Sequence, residues 1–113
     1  MTTFIRTRRA SGTWVVRAGG AVLGESKNAI ELSEGSYAPV IYFPRADIAM
    51  ALLEPSAKTS HCPHKGDASY FDIAAKSGLI ADAAWSYESP LPEVAEIAGH
   101  LAFYTDKVTV EQL

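Results

Sequence analysis

The stretch from Leu79 to Tyr87, LIADAAWSY, alternates with a period of two. Leu79, Ala81, Ala83, Trp85 and Tyr87 fall on one side and Asp82 and Ser86 on the other, because successive side chains of a strand point to opposite faces. The pattern predicts a long strand with one apolar, aromatic face and one more polar face. Lys76-Ser77-Gly78 turns the chain before it. Further upstream, Lys58 to Cys62 and Asp67 to Ile73 read as hairpin arms around the turn Pro63-His64-Lys65-Gly66. Downstream, Pro92 to Ala98 reads as a short helix, with proline near its start, acids in its first turn and Gly99 just past its end. Leu101 to Thr105 and Val108 to Glu111 read as a closing strand pair across Asp106-Lys107.

Toward the N-terminus the same grammar continues. Tyr37 to Phe43, YAPVIYF, is the strongest strand signal, and Pro39 confines it to an edge or a strand start. Pro44 opens a second short helix running to about Leu53, with Ile48, Ala51 and Leu52 on one face. Thr13 to Ala18 and Ala21 to Gly24 flank Gly19-Gly20, a tight hairpin signal. Ala29 to Leu32 is a further short strand. Residues 1–12 read as an irregular lead-in, and 13–113 as one domain. Short strands separated by frequent turns, with two short helices, predict an all-β, mainly antiparallel sandwich, barrel or folded sheet.

The 113 residues, 48% hydrophobic and 20% charged, suffice for one core without covalent staples. A net charge of −3 argues against a nucleic-acid partner, which calls for a basic face. Arg6, Arg8 and Arg9 crowd the N-terminus; they read as a solvated end or as an arm for an acidic partner. The single cysteine, Cys62, permits no internal disulfide and fits a reducing compartment. The longest apolar run, Ile48 to Leu53, is too short to span a bilayer, and no apolar stretch backs the N-terminal arginines. A cytoplasmic protein without a membrane partner is therefore expected.

The densest polar and aromatic clusters are Tyr42-Phe43-Pro44-Arg45-Ala46-Asp47, His61 to Tyr70 (HCPHKGDASY), and Trp85-Ser86-Tyr87. Together with Leu53-Glu54-Pro55-Ser56, Pro90 and Ala102-Phe103-Tyr104, they resemble the ordered motifs of the domain-of-unknown-function family 427. The resemblance covers about residues 14–110. It implies the Mss4-like, or β-tent, fold group of small coiled antiparallel sheets, and it implies no established activity. An older nucleotidyltransferase label attached to that family finds no support here, since the chain lacks a glycine-serine nucleotide motif followed by paired aspartates. Relatives of the fold hold zinc through paired C-x-x-C motifs, which this chain lacks, or use a catalytic cysteine, for which Cys62 is the only candidate.

Read one by one, these residues leave several chemistries open. A Cys62 thiolate beside His61, His64 and Lys65 would be an activated nucleophile or redox centre with a histidine base; alternatively Cys62 is a small buried hydrophobe. His61, Cys62 and His64, with Asp67 or His100, are too compact for a closed zinc site; no metal and no cofactor is expected. Arg45, Lys65 and Arg17 are candidates to line an anion pocket, or else to form local pairs such as Arg45–Asp47 and Lys65–Asp67. Tyr42, Tyr70, Trp85 and Tyr87 are candidate pocket walls, or plain core rings. The leading expectation is a domain binding a small polar or anionic ligand through Tyr42, Arg45, Asp47, Lys65, Tyr70, Trp85 and Tyr87, with Asp47 and His61 orienting it. An enzyme built on Cys62 and His61, and an interaction or homo-oligomerisation module built on exposed strand edges, are the alternatives.

Overall fold

A computed structural model describes residues 4–113. Ten strands follow one another: β1 (Ile5–Arg9), β2 (Trp14–Ala18), β3 (Ala21–Ser26), β4 (Ile30–Glu34), β5 (Val40–Tyr42), β6 (Leu53–Cys62), β7 (Gly66–Ala75), β8 (Gly78–Ser86), β9 (Ala102–Phe103) and β10 (Thr109–Gln112). They form three sheets, ordered β1-β4-β5, β10-β2-β3 and β6-β7-β8-β9, with every pairing antiparallel. The chain is all-β, and among the described residues its helical content is confined to three 3-10 turns at Arg45–Asp47, Met50–Leu52 and Pro92–Ile97. None of these is long and apolar enough to cross a membrane.

The sheets are held together by alternation. The Tyr42/Phe43, Tyr70/Phe71 and Ala102/Phe103 neighbours each send one side chain to either side of a common wall. Phe43, Phe71 and Phe103 join Val16, Ile73 and Leu101 in one core; Tyr42, Tyr70 and Ala102 join Leu32, Tyr87 and Ile97 in the other. Phe43 and Ile73 are fully buried, and burial of such a side chain stabilises by about 1.5–3 kcal/mol. The bridge between Phe43 and Leu101 ties the end of β5 to the strand leading into β9.

Several elements differ from the reading of the sequence, most of them because a distant segment pairs with them. The lead-in is not irregular throughout: Ile5–Arg9 is a strand paired along β4, whose backbone groups would otherwise lack a partner on that side. Residues 1–3 lie outside the described residues. The helix expected over 44–53 is broken into two 3-10 turns at Ile48, which pairs instead with Gly24, while Ala49 N–H donates to Leu23 O. Gly24 is needed there, because a Cβ would stand 2.4 Å from Asp47 O. The second expected helix is also a 3-10 segment, bent at Val94. YAPVIYF contributes only three residues to its strand, the ladder beginning just after Pro39. The closing pair does not form: β9 pairs with β8 and β10 with β2, on different sheets. On β8 the apolar face is interrupted, with Leu79 and Ala81 exposed and Ile80 turned toward the first core. Asp82, at φ 49, bulges the strand there; its N–H donates to Asp72 Oδ1 and its carboxylate accepts from the Ser56 hydroxyl. The Gly19-Gly20 hairpin has φ of 55 and 84 at its two turn residues, as the glycine pair requires.

Candidate functional site

A cleft of about 330 Å³ opens between the β1-β4-β5 sheet and the β6-β7-β8-β9 sheet. Tyr42, Tyr70, Trp85 and Tyr87 form its walls together with Tyr104, and Lys65 and Glu34 supply its charge. Each wall residue arrives by strand geometry. Tyr42 is the last residue of β5, Tyr70 lies in β7, and Trp85 and Tyr87 share one side of β8 and its extension because they are two residues apart. Tyr104 follows β9 and lies against Trp85, with ring centroids 4.6 Å apart, and stacks on Tyr70 at 6.4 Å.

The polar groups are already arranged. Trp85 Nε1 donates to the Tyr42 hydroxyl at 3.2 Å, and the rings meet edge to face. The Tyr70 and Ser60 hydroxyls are 2.9 Å apart. Lys65 Nζ donates to Glu34 Oε1 at 2.7 Å, with only 13% and 21% of the two side chains exposed, and lies 6.0 Å above the Tyr87 ring. The charges cancel, so the cleft carries an ion pair and no net charge. Burial pushes the Tyr42 hydroxyl from its ordinary 10.0 up to about 12, although the Trp85 hydrogen bond pulls the other way. Burial raises Tyr87 further, with its neighbours Tyr42 and Cys62 adding to the effect. Tyr104 rises to about 12 through burial and then through Tyr70 beside it. All three are neutral hydroxyls near neutral pH, able both to donate and to accept.

Of the residues read from the sequence as ligand-binding, five stand in this cleft and two do not. Arg45 lies across the wall, where its Nε donates to Gly99 O at 3.0 Å and its Nη2 to Glu88 at 2.5 Å, with Phe71 beneath the guanidinium. Ser86, fully buried, donates to the same Glu88 carboxylate. Asp47 accepts from the buried Ser26 hydroxyl at 2.6 Å on the edge of β3. Arg17 pairs with Glu111 between β2 and β10. The local pairs Arg45–Asp47 and Lys65–Asp67 are replaced by Arg45–Glu88 and Lys65–Glu34. His61 and Cys62 do not act on one point. His61 Nδ1 is 2.6 Å from Asp67 Oδ1 with its side chain 69% exposed, whereas Cys62 is half-buried against the tyrosine core. Successive strand residues face opposite ways. Among the described residues no three histidine, cysteine or acidic side chains are grouped to hold a metal ion.

Glu34 and Tyr104 were not among the sequence candidates. Glu34 closes β4, and nothing local signals a carboxylate that meets a lysine thirty-one positions away. Tyr104 closed the Ala102-Phe103-Tyr104 motif, which was the one available signal.

A family model described as "Domain of unknown function (DUF427)" matches residues 6–112, starting within β1 and ending in β10. No curated protein matches the chain. The chain belongs to the DUF427 family.

Proposed function

From that membership as premise, we propose that the protein is a binding domain that holds a small polar molecule in the tyrosine cleft between its sheets. The observation carrying this reading is the convergence of five tyrosine rings, Trp85 and the Lys65–Glu34 pair on one opening, from five different strands and their connections. A core that served packing alone would gain little from two charges held in its mouth, since the desolvation cost of such a pair can exceed its Coulombic gain. Apolar walls with a few polar groups are the usual composition of a small-molecule site. The zero net charge favours a neutral, hydrogen-bonding ligand over a bare anion. The reading of three small antiparallel sheets as a β-tent arrangement belongs to the same proposal.

The Cys62 enzyme reading draws no comparable support, because the nearest histidine is turned away and engaged with Asp67.

The test is a fragment screen followed on the Trp85 indole N–H resonance. Polar fragments are expected to shift that resonance in the wild-type protein and to leave it unmoved in Ala38→Trp, a substitution at an exposed residue on the cleft rim. A screen in which no polar fragment moves the Trp85 resonance, or in which Ala38→Trp binds as the wild type does, rejects the reading.

A further inference from the structure

A second cleft, of about 400 Å³, lies beside the first. The two share Ala38, Val40, Trp85 and Tyr104 as common walls. Beyond that shared partition the chemistry changes. The second cleft is walled by Trp14, Ile41, Phe103 and Val110, and its one carboxylate, Glu31, is already engaged by Arg8 Nε at 2.6 Å. One cleft therefore offers hydroxyls and an ion pair, and its neighbour offers apolar surface.

We infer that the ligand is an amphipathic small molecule: a neutral head bearing an adjacent hydrogen-bond acceptor and donor, of the carboxamide kind, and a flat apolar arm. This rests on the binding reading above and adds the ligand's class. At the polar end the paired Lys65 and Glu34 present a donor and an acceptor side by side. A carbonyl oxygen accepts from Lys65 and an amide N–H donates to Glu34 while the pair stays intact. A carboxylate would meet the Glu34 charge and an ammonium the Lys65 charge. The tyrosine hydroxyls serve either half of an amide. The arm leaves over Trp85 and Tyr104, whose tilted rings form the partition, and comes to rest against Trp14 and Val110. Burying one phenyl-sized arm predicts at least about a tenfold gain in affinity over the head alone.

The chain carries its own pair of reporters. It has two tryptophans: Trp14 lines only the second cleft, and Trp85 borders both. Their indole N–H groups are held by Ser11 O and the Tyr42 hydroxyl respectively, which gives each a distinct resonance to follow. The full chain is titrated with acetamide, phenylacetamide and phenylacetate, in the wild type and in Thr105→Phe, which fills the second cleft from an exposed position. Val110→Phe serves as a second filling variant.

Acetamide is expected to move Trp85 alone, and phenylacetamide to move both indoles with at least about tenfold tighter binding. Either filling variant should remove that gain and leave acetamide unaffected. Phenylacetate should bind at least about tenfold more weakly than phenylacetamide, through like-charge contact with Glu34. If phenylacetamide moves only Trp85 and binds no better than acetamide, the apolar arm is overturned while the polar cleft stands. If phenylacetate binds as well as the amide, the neutral head is overturned. If no probe moves either indole, the binding reading itself fails.

Discussion

Two polar clusters stand on opposite sides of the β7–β8 wall, and only one of them lines a cleft. On the braced side, Arg45 spends itself on Gly99 O and Glu88, and Ser86 on Glu88. Those contacts lock the 3-10 turn after β5, the end of β8 and the turn at Gly99 against one another. On the cleft side, Lys65 and Glu34 hold each other, and the Tyr87 hydroxyl is raised by burial and neighbouring charge with no hydrogen bond contributing. Both clusters are rich in the residue types that suggest a site. What separates them is what they join: the Arg45 network ties three segments of the chain to one another, whereas the Lys65–Glu34 pair and the tyrosine hydroxyls line an opening.

The largest expected effect falls on the braced side. Gly24→Ala forces a Cβ against backbone at Asp47 and against the Ile48 side chain, and should lose about 3 kcal/mol of stability, at the upper end of overpacking costs. Thermal or urea unfolding measures it; a loss below about 1 kcal/mol would mean that the turn carrying Arg45 slides freely and the brace is loose. Arg45→Ala should follow with a loss of about 1–2 kcal/mol, because the Gly99 carbonyl and the buried Ser86 hydroxyl lose a charged donor. Its binding of cleft probes should be unchanged. Binding lost in proportion to stability would erase the distinction between the two sides.

On the cleft side the order reverses. Tyr87→Phe keeps the ring and removes the hydroxyl, so stability should stay within about 1 kcal/mol, while polar probes bind several-fold more weakly in the same indole titration.

Alkali tests the same side by another route. Tyr42 and Tyr104 ionise near 12 when folded but near 10.0 when unfolded. Between those values the unfolded chain loses protons that the folded one keeps, so stability falls as pH rises from about 10 to about 12 and is fully retained below that window. Tyr42→Phe should move the onset of alkaline unfolding upward, as read by tyrosinate absorbance alongside circular dichroism. An unmoved onset would mean that the cleft tyrosines do not govern it.

The smallest effect belongs to His61→Ala. The His61–Asp67 pair is exposed, and such pairs contribute about 0–1 kcal/mol. Neither stability nor the rate of Cys62 alkylation should change appreciably. A large drop in that rate would join His61 to Cys62 after all.

Much of the fold was legible along the chain because it rests on local rules. The strands at 14–18 and 78–86, the Gly19-Gly20 hairpin and the turn before Gly66 follow from alternation and turn chemistry. The misreadings share one cause. The apolar spacing of Ile48, Ala51 and Leu52 suits a helix, yet Ile48 is claimed by Gly24 from another sheet. The arginine-rich β1 has little local strand signal and is fixed by β4. Long-range pairing overrides local preference, most readily for strands.

The sequence by itself determined the all-β class, the family motifs and the stock of rings, hydroxyls and charges. Tertiary structure alone decided which of them meet. Tyr42 and Arg45 are three residues apart, yet one lines the cleft and the other fastens the opposite side of the wall. Lys65 has Asp67 nearby and takes Glu34 instead. The physical reason is that Arg45 and Lys65 both sit in turns, where strand alternation no longer fixes the direction of a side chain. The partner across the space is set by how the sheets fold over one another.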